Sequence, residues 1–190
     1  NDLIDCHRKV TKLMPFLHLP VQSGSNKILK SMNRKHTREE YLLTIQNLVK
    51  ARSNITFSSD FIVGYPGETE RDFNDTLSLV KEVNFVNSFS FIYNPRPGTP
   101  ASQLKEIDKK IQKRRLIILQ NLLEDIQKKE NKKKIGKLKE VLIENKLKNQ
   151  SNFFGRIDNL TPVIVRNANV NDIGKIIHVR IKNYNRNTLF

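Results

Sequence analysis

Three short stretches carry the residue types from which a binding site can be built. Residues 16–25 read FLHLPVQSGS, residues 32–34 read MNR, and residues 59–69 read SDFIVGYPGET. In each, isolated polar side chains and small residues punctuate an apolar run, and strand ends built that way commonly hold a cofactor. The Gln22 amide offers both a donor and an acceptor. A guanidinium such as Arg34 forks onto a carboxylate or phosphate. Asp60, inside an apolar run, must accept hydrogen bonds, because an uncompensated buried carboxylate is costly. Gly64 and Gly67, flanking Pro66, permit close backbone approach or positive φ. Each residue also has a plainer use: a loop amide capping its own backbone, a surface arginine, a satisfied structural carboxylate, a tight turn. His7, His18, His36 and His178 are scattered without metal-ligand spacing, so structural roles are expected for all four.

The elements that must position these groups follow a β-α-β-α-β-α rhythm. Residues 16–21, 55–63 and 88–93 are short apolar, β-branched and aromatic runs, and the segments between them show helical spacing. Tyr41, Ile45 and Leu48 share a face behind a Thr37/Glu40 capping box, and Phe73, Leu77 and Val80 share one behind Thr69/Asp72. A shorter helix between Ser25 and Met32 has Ser25 as N-cap and Ile28, Leu29 and Met32 as its buried side. Alternation of this kind argues for parallel strands joined by right-handed crossovers. Three such units do not close a barrel, and the first strand would keep an unpaired edge, so the chain reads as a piece of something larger.

Beyond these units, residues 105–134 predict a long basic helix linking two domains, with Ile107, Ile111, Ile118, Leu122 and Ile126 on one side. From residue 137 the pattern changes to short strands at 141–143, 153–157, 162–165 and 176–181, which read as a small antiparallel barrel of the oligonucleotide-binding kind. The formal charge of +15 favours a polyanionic partner. Lysine and asparagine, at 22 and 21 residues against 12 arginines, also fit compositional drift in an AT-rich genome. Location argues for an RNA-facing surface: residues 1–104 hold 13 basic and 10 acidic groups, 105–148 hold 15 and 7, and 149–190 hold 6 and 2. No membrane-length apolar run and no signal-peptide layout is seen, so a cytoplasmic setting without membrane contact is expected. One cysteine, Cys6, excludes an internal disulfide and a cysteine-based metal site within this chain.

HLPVQSGS at 18–25, the set Leu29, Met32, Arg34 and Thr37, DFIVGYPGET at 60–69 with Asp72 and Phe73, and RPGTPA at 96–101 together resemble the later part of the radical SAM methylthiotransferases. The likeness is to the type that acts on isopentenyl-adenosine in tRNA. The resemblance implies an α/β fold, the second half of a radical SAM partial (β/α)6 barrel over residues 1–104. A basic helical linker at 105–134 and a small all-β TRAM barrel, OB-like and RNA-binding, at 135–190 would follow.

It implies S-adenosyl-L-methionine as cofactor, held by Gln22, Ser23, Arg34, Asp60 and Gly64. Arg34 would clamp the methionyl carboxylate and Asp60 would accept from ribose hydroxyls. Arg96, Lys137, Lys139, Arg156, Arg166, Lys175 and Arg180 would face substrate or tRNA, with Phe153, Phe154 and Tyr184 as candidate stacking platforms. Glu68 reads as a helix-start anion in preference to the alternative, a brace behind the site. The [4Fe-4S] clusters of the complete enzyme would be held by cysteines that this chain lacks, so no catalytic or metal-ligating residue is expected here and the chain alone is expected to be inactive. The missing N-terminal portion is a candidate partner as a separate chain, and the family's barrel would run on past Phe190. Two alternatives stay open: a sibling methylthiotransferase acting on threonylcarbamoyl-adenosine or a ribosomal protein, and a non-catalytic RNA-binding remnant.

Overall fold

A computed structural model describes residues 2–148 and 150–190. The first half lays three parallel strand segments side by side, each followed by helix. Helix α1 (Asp2–Lys9) leads into β1 (Phe16–His18), α2 (Asn26–Ser31) and α3 (Arg38–Ala51). Then come β2 (Thr56–Ser58), β3 (Asp60–Val63), α4 (Glu70–Val83), β4 (Phe89–Ile92) and α5 (Lys109–Lys132). β1 pairs with β2, and β3 with β4, both in parallel. A parallel bridge between Gln22 and Phe61 carries the β1 side of the sheet onto β3.

The expected strand at 16–21 is therefore interrupted, and Pro20 is the reason, since proline has no N–H for the ladder. Ser59 repairs the gap: its Oγ donates to the Leu19 carbonyl at 3.0 Å and accepts from the Val21 amide at 2.9 Å. The same residue separates β2 from β3.

Alternation sends Phe57, Phe61 and Val63 to the helix-covered face, where they are buried with Tyr41, Ile45, Leu48, Phe73 and Val80. Both long-helix caps form as full capping boxes, Thr37 with Glu40 and Thr69 with Asp72. Helix α1 was not signalled by the pattern; it packs on α3 and buries His7, whose ionisation burial and Arg52 push down.

Helix α5 differs from expectation in the face it buries. Of the expected side, Ile111 and Ile118 are exposed, while Ile126 is buried and Leu122 packs partly buried; Leu119 and Leu123 join them in the first core. The buried stripe continues at both ends through polar residues, Gln112 and Arg115 at one and Gln127 and Asn131 at the other. A stripe that is polar at its ends does not register in hydrophobic periodicity. The helix also covers β3 and β4 rather than only linking two units.

The second core belongs to a four-stranded antiparallel sheet in the order β7-β6-β5-β8, formed by β5 (Leu138–Lys146), β6 (Phe153–Arg156), β7 (Pro162–Val165) and β8 (Ile176–Arg180). Val141, Ile143, Phe153, Val163, Ile181 and Leu189 fill it. Leu189 bridges both to Val163 in β7 and to Tyr184 beyond β8, which brings the two edges of the sheet toward each other as in a small barrel. Polar contacts join the two cores, among them Asn87 Nδ2 donating to the Asn159 carbonyl at 3.1 Å and Arg186 Nε 3.2 Å from Glu124 Oε2. No helix among the described residues is long and apolar enough to cross a membrane.

Candidate functional site

Residues on and just beyond the strands of the first half surround a cavity of about 980 Å³, lined among others by Gln22, Arg34, Asp60, Tyr65, Tyr93 and Arg96. Four of the residues singled out from the sequence thus share one concavity, although 74 positions separate the first from the last.

Local backbone chemistry explains the convergence. Gln22 has φ of 73°, a left-handed conformation uncommon for a residue with a Cβ. Neighbouring strand groups hold it there: its N–H donates to the Asp60 carbonyl at 3.0 Å and its carbonyl accepts from Ile62 N at 2.9 Å. The strain is compensated by β3, and the side chain is thereby presented at the strand end. Arg34 is placed by the end of α2. Asn33, with φ of 57°, closes the helix, and the Arg34 amide reaches back to the Leu29 carbonyl at 2.9 Å. Asp60 opens β3, half-buried, with Oδ2 3.5 Å from His18 Nε2. His18 Nδ1 lies 2.9 Å from Ser58 Oγ, which donates to the Asn87 carbonyl at 2.8 Å. Neither Arg34 nor Arg96 has a carboxylate partner among the described residues. Two exposed guanidiniums lining one cavity suit an anionic group on a ligand.

Ser23 and Gly64 do not line the cavity. Ser23 is fully buried, its Oγ 3.3 Å from Thr76 Oγ1, and serves the contact between the loop and α4. A side chain at the adjoining Gly24 would place Cβ 2.4 Å from the Asp75 carbonyl oxygen, so this loop lies directly on the helix backbone. Asp72 tightens the same joint. It accepts from Ser25 Oγ at 2.6 Å, from Thr69 Oγ1 and N at 2.6 and 2.8 Å, and from Lys27 Nζ at 3.0 Å. Burial pushes its carboxyl upward, but the Ser25 and Thr69 hydrogen bonds, with Lys27, outweigh that and hold it well below the usual carboxylate range.

Gly64 packs against α5 instead: its carbonyl accepts from Gln112 Nε2 at 3.1 Å, and an added Cβ would lie 2.6 Å from Gln112 Cγ. Glu68 takes the second of its two expected roles, a buried brace and not a helix-start anion. Its Oε2 accepts from the Gly64 amide at 2.8 Å and from Arg115 at 2.7 Å. Burial pushes its carboxyl up against the pull of these two donors. Arg115 lay outside the residues chosen from sequence because a basic residue in a basic helix carries no positional signal.

In the second half the basic residues divide. Arg156 is committed to Glu144, with Nη1 at 2.6 Å from both carboxylate oxygens, and its guanidinium sits 5.0 Å from the Phe154 ring centroid. Arg180 donates to the Gly136 carbonyl at 2.8 Å. Lys137, Lys139, Arg166 and Lys175 have no ion-pair partner among the described residues. Phe153 is a core residue, Tyr184 packs partly buried on the same core, and Phe154 is likewise half-buried, beside Arg156.

Residues 7–80 match the radical SAM superfamily, and residues 132–190 match the TRAM domain. The chain carries a radical SAM part followed by a TRAM domain. The radical SAM part holds Gln22, Arg34 and Asp60; the TRAM domain holds all six basic residues named in the second half. A tRNA-2-methylthio-N(6)-dimethylallyladenosine synthase of Pelagibacter ubique (strain HTCC1062) is 51% identical over 190 residues, which is 100% of this chain and 42% of the relative. Proteins of the same name from Rickettsia akari (strain Hartford) and Ehrlichia chaffeensis (strain ATCC CRL-10679 / Arkansas) are 48% and 47% identical. They cover 100% and 95% of this chain and 43% and 42% of their own lengths. The chain therefore spans less than half the length of the curated relatives it matches.

Proposed function

We propose that this chain supplies the S-adenosylmethionine-facing and RNA-gripping part of a tRNA methylthiotransferase acting on isopentenyl-adenosine. The observation that carries the reading is the meeting of Gln22, Arg34, Asp60 and Arg96 around one cavity in a chain whose relatives bear that enzyme's name. Arg34 forks onto the methionyl carboxylate, Asp60 accepts from the ribose hydroxyls, and Gln22 gives and takes one hydrogen bond at the strand end. Arg96, on the turn beyond β4, meets a phosphate of the RNA or the substrate nucleoside. When bound, S-adenosylmethionine supplies the radical and methyl-group chemistry of the superfamily, and the chain's own part is to bind, orient and shield.

The residues present do not fit a [4Fe-4S] cluster. Cys6 is the sole cysteine, exposed on α1, and no group of three or more potential ligands occurs among the described residues. Purified alone, the chain is expected to give no turnover. Residues 1–104 with the covering helix α5 then form the cofactor unit, and residues 135–190 form the RNA unit, with Lys137, Lys139, Arg166 and Lys175 tracking phosphates. Calorimetric titration of S-adenosylmethionine into the chain and into its Arg34→Ala variant tests the reading. Measurable binding, weakened about ten- to a hundredfold by loss of a charge-assisted contact, is the expected result.

A further inference from the structure

We infer that Tyr65 is a positioning residue for Arg34, an inference that rests on the proposed role of Arg34 in holding the ligand carboxylate. Tyr65 follows β3 in the loop at 64–68, and its hydroxyl donates to the Ser31 carbonyl at 2.8 Å. Ser31 is the last residue of α2, and its carbonyl belongs to the group that a helix C-terminus leaves without an intrahelical partner. Arg34 lies three residues on, beyond the left-handed Asn33. The Tyr65 bond therefore ties the point from which Arg34 departs to Tyr65, itself a lining residue of the same cavity.

Tyr65 is in turn held from three sides. Its ring meets Tyr93 edge to face at 4.9 Å between centroids. On one side of it in sequence Gly64 is bonded to Gln112, and on the other Glu68 is bonded to Arg115, both from α5. Burial, and then the neighbouring Tyr93, push the Tyr65 hydroxyl's ionisation upward, so it keeps the proton that it donates. Removing that one oxygen leaves the ring packing and the loop anchors in place and frees only the end of α2. The same geometry accounts for why an exposed arginine three residues beyond a six-residue helix can occupy a defined place in a cavity wall.

The test is a double-mutant cycle on S-adenosylmethionine binding, with Tyr65→Phe made in the parent chain and in Arg34→Ala. Tyr65→Phe is expected to weaken binding about three- to tenfold in the parent, the range for one lost hydrogen bond, and to have no further effect once Arg34 is alanine. The Arg34 side-chain Nε–H resonance is expected to shift in Tyr65→Phe without ligand present. Parental binding by Tyr65→Phe, an equal loss in both backgrounds, or an unmoved Arg34 resonance would overturn the inference. Collapse of the whole fold in Tyr65→Phe, read by circular dichroism, would also contradict it, because the residue would then serve the core and not Arg34. Parental binding by Arg34→Ala is a different failure, which refutes the cavity reading itself.

Discussion

At Asp72 one buried carboxylate collects donors from Ser25, Lys27 and Thr69, and so fixes the loop after Gln22 to the start of α4. Because its folded-state ionisation lies below the unfolded value, its contribution is fully present above about pH 4, near the ordinary aspartate pKa. The contribution is lost as pH falls through the folded value. Asp72→Asn is therefore expected to cost about 1–3 kcal/mol at neutral pH, by leaving buried donors unpaired, and to flatten the acid limb of a stability-against-pH curve measured by denaturant unfolding. An unchanged acid limb would mean that other carboxylates govern it. At this scale the sequence was informative wherever a residue's conformation or charge was unusual for its surroundings. Asp60 in an apolar run and Arg34 after a short helix both reach the cavity. Ser23 and Gly64 belong to the same segments and face elsewhere, because a motif's linear order does not say which of its members turn toward a ligand and which hold the loop.

Among the elements, the parallel sheet has one covered and one open face. Phe61 is fully buried beneath the helices, whereas Phe89 and Phe91 of β4 remain 60% and 53% exposed. Phe61→Ala is expected to destabilise the chain by about 3–5 kcal/mol, and Phe91→Ala to change stability by no more than about 0.5 kcal/mol. Thermal unfolding of the two variants checks the contrast, and equal losses would show that the second face is also packed. Periodicity and caps made α2, α3, α4 and the C-terminal strands legible, since each has a strong local signal. Helix α1 is short and polar and had none. The buried side of α5 was legible only in part, at Leu122 and Ile126: Gln112, Arg115, Gln127 and Asn131 face inward to meet polar partners, and the exposed Ile111 and Ile118 pulled the pattern off the true face.

For the molecule as a whole, charge and topology differ between the two cores. Helix α5 runs from the loop at 64–68 to the TRAM domain, where Glu124 meets Arg186 and Asn131 Nδ2 donates to the Arg186 carbonyl at 3.4 Å. In the TRAM domain the excess of basic over acidic residues fits a phosphate-tracking surface, with Arg156 already neutralised by Glu144. tRNA binding is accordingly expected to weaken steeply with salt, and Arg166→Ala or Lys175→Ala to lower the slope of log K against log salt by about 1 each. Arg156→Ala is expected to leave that slope unchanged, in a filter-binding titration. The fold class and the two-part organisation were open to sequence reasoning because strand and helix periods differ so plainly between the halves. The division of basic residues into free and paired was not, since an ion pair twelve residues apart depends on strand register. Gln22, Arg34, Asp60 and Arg96 are proposed to surround one nucleotide-like methyl donor. Titrating S-adenosylmethionine into the parent chain and Arg34→Ala tests it most directly. Binding in the parent that falls about ten- to a hundredfold in the variant is predicted, and no binding in the parent, or equal binding in both, would contradict it.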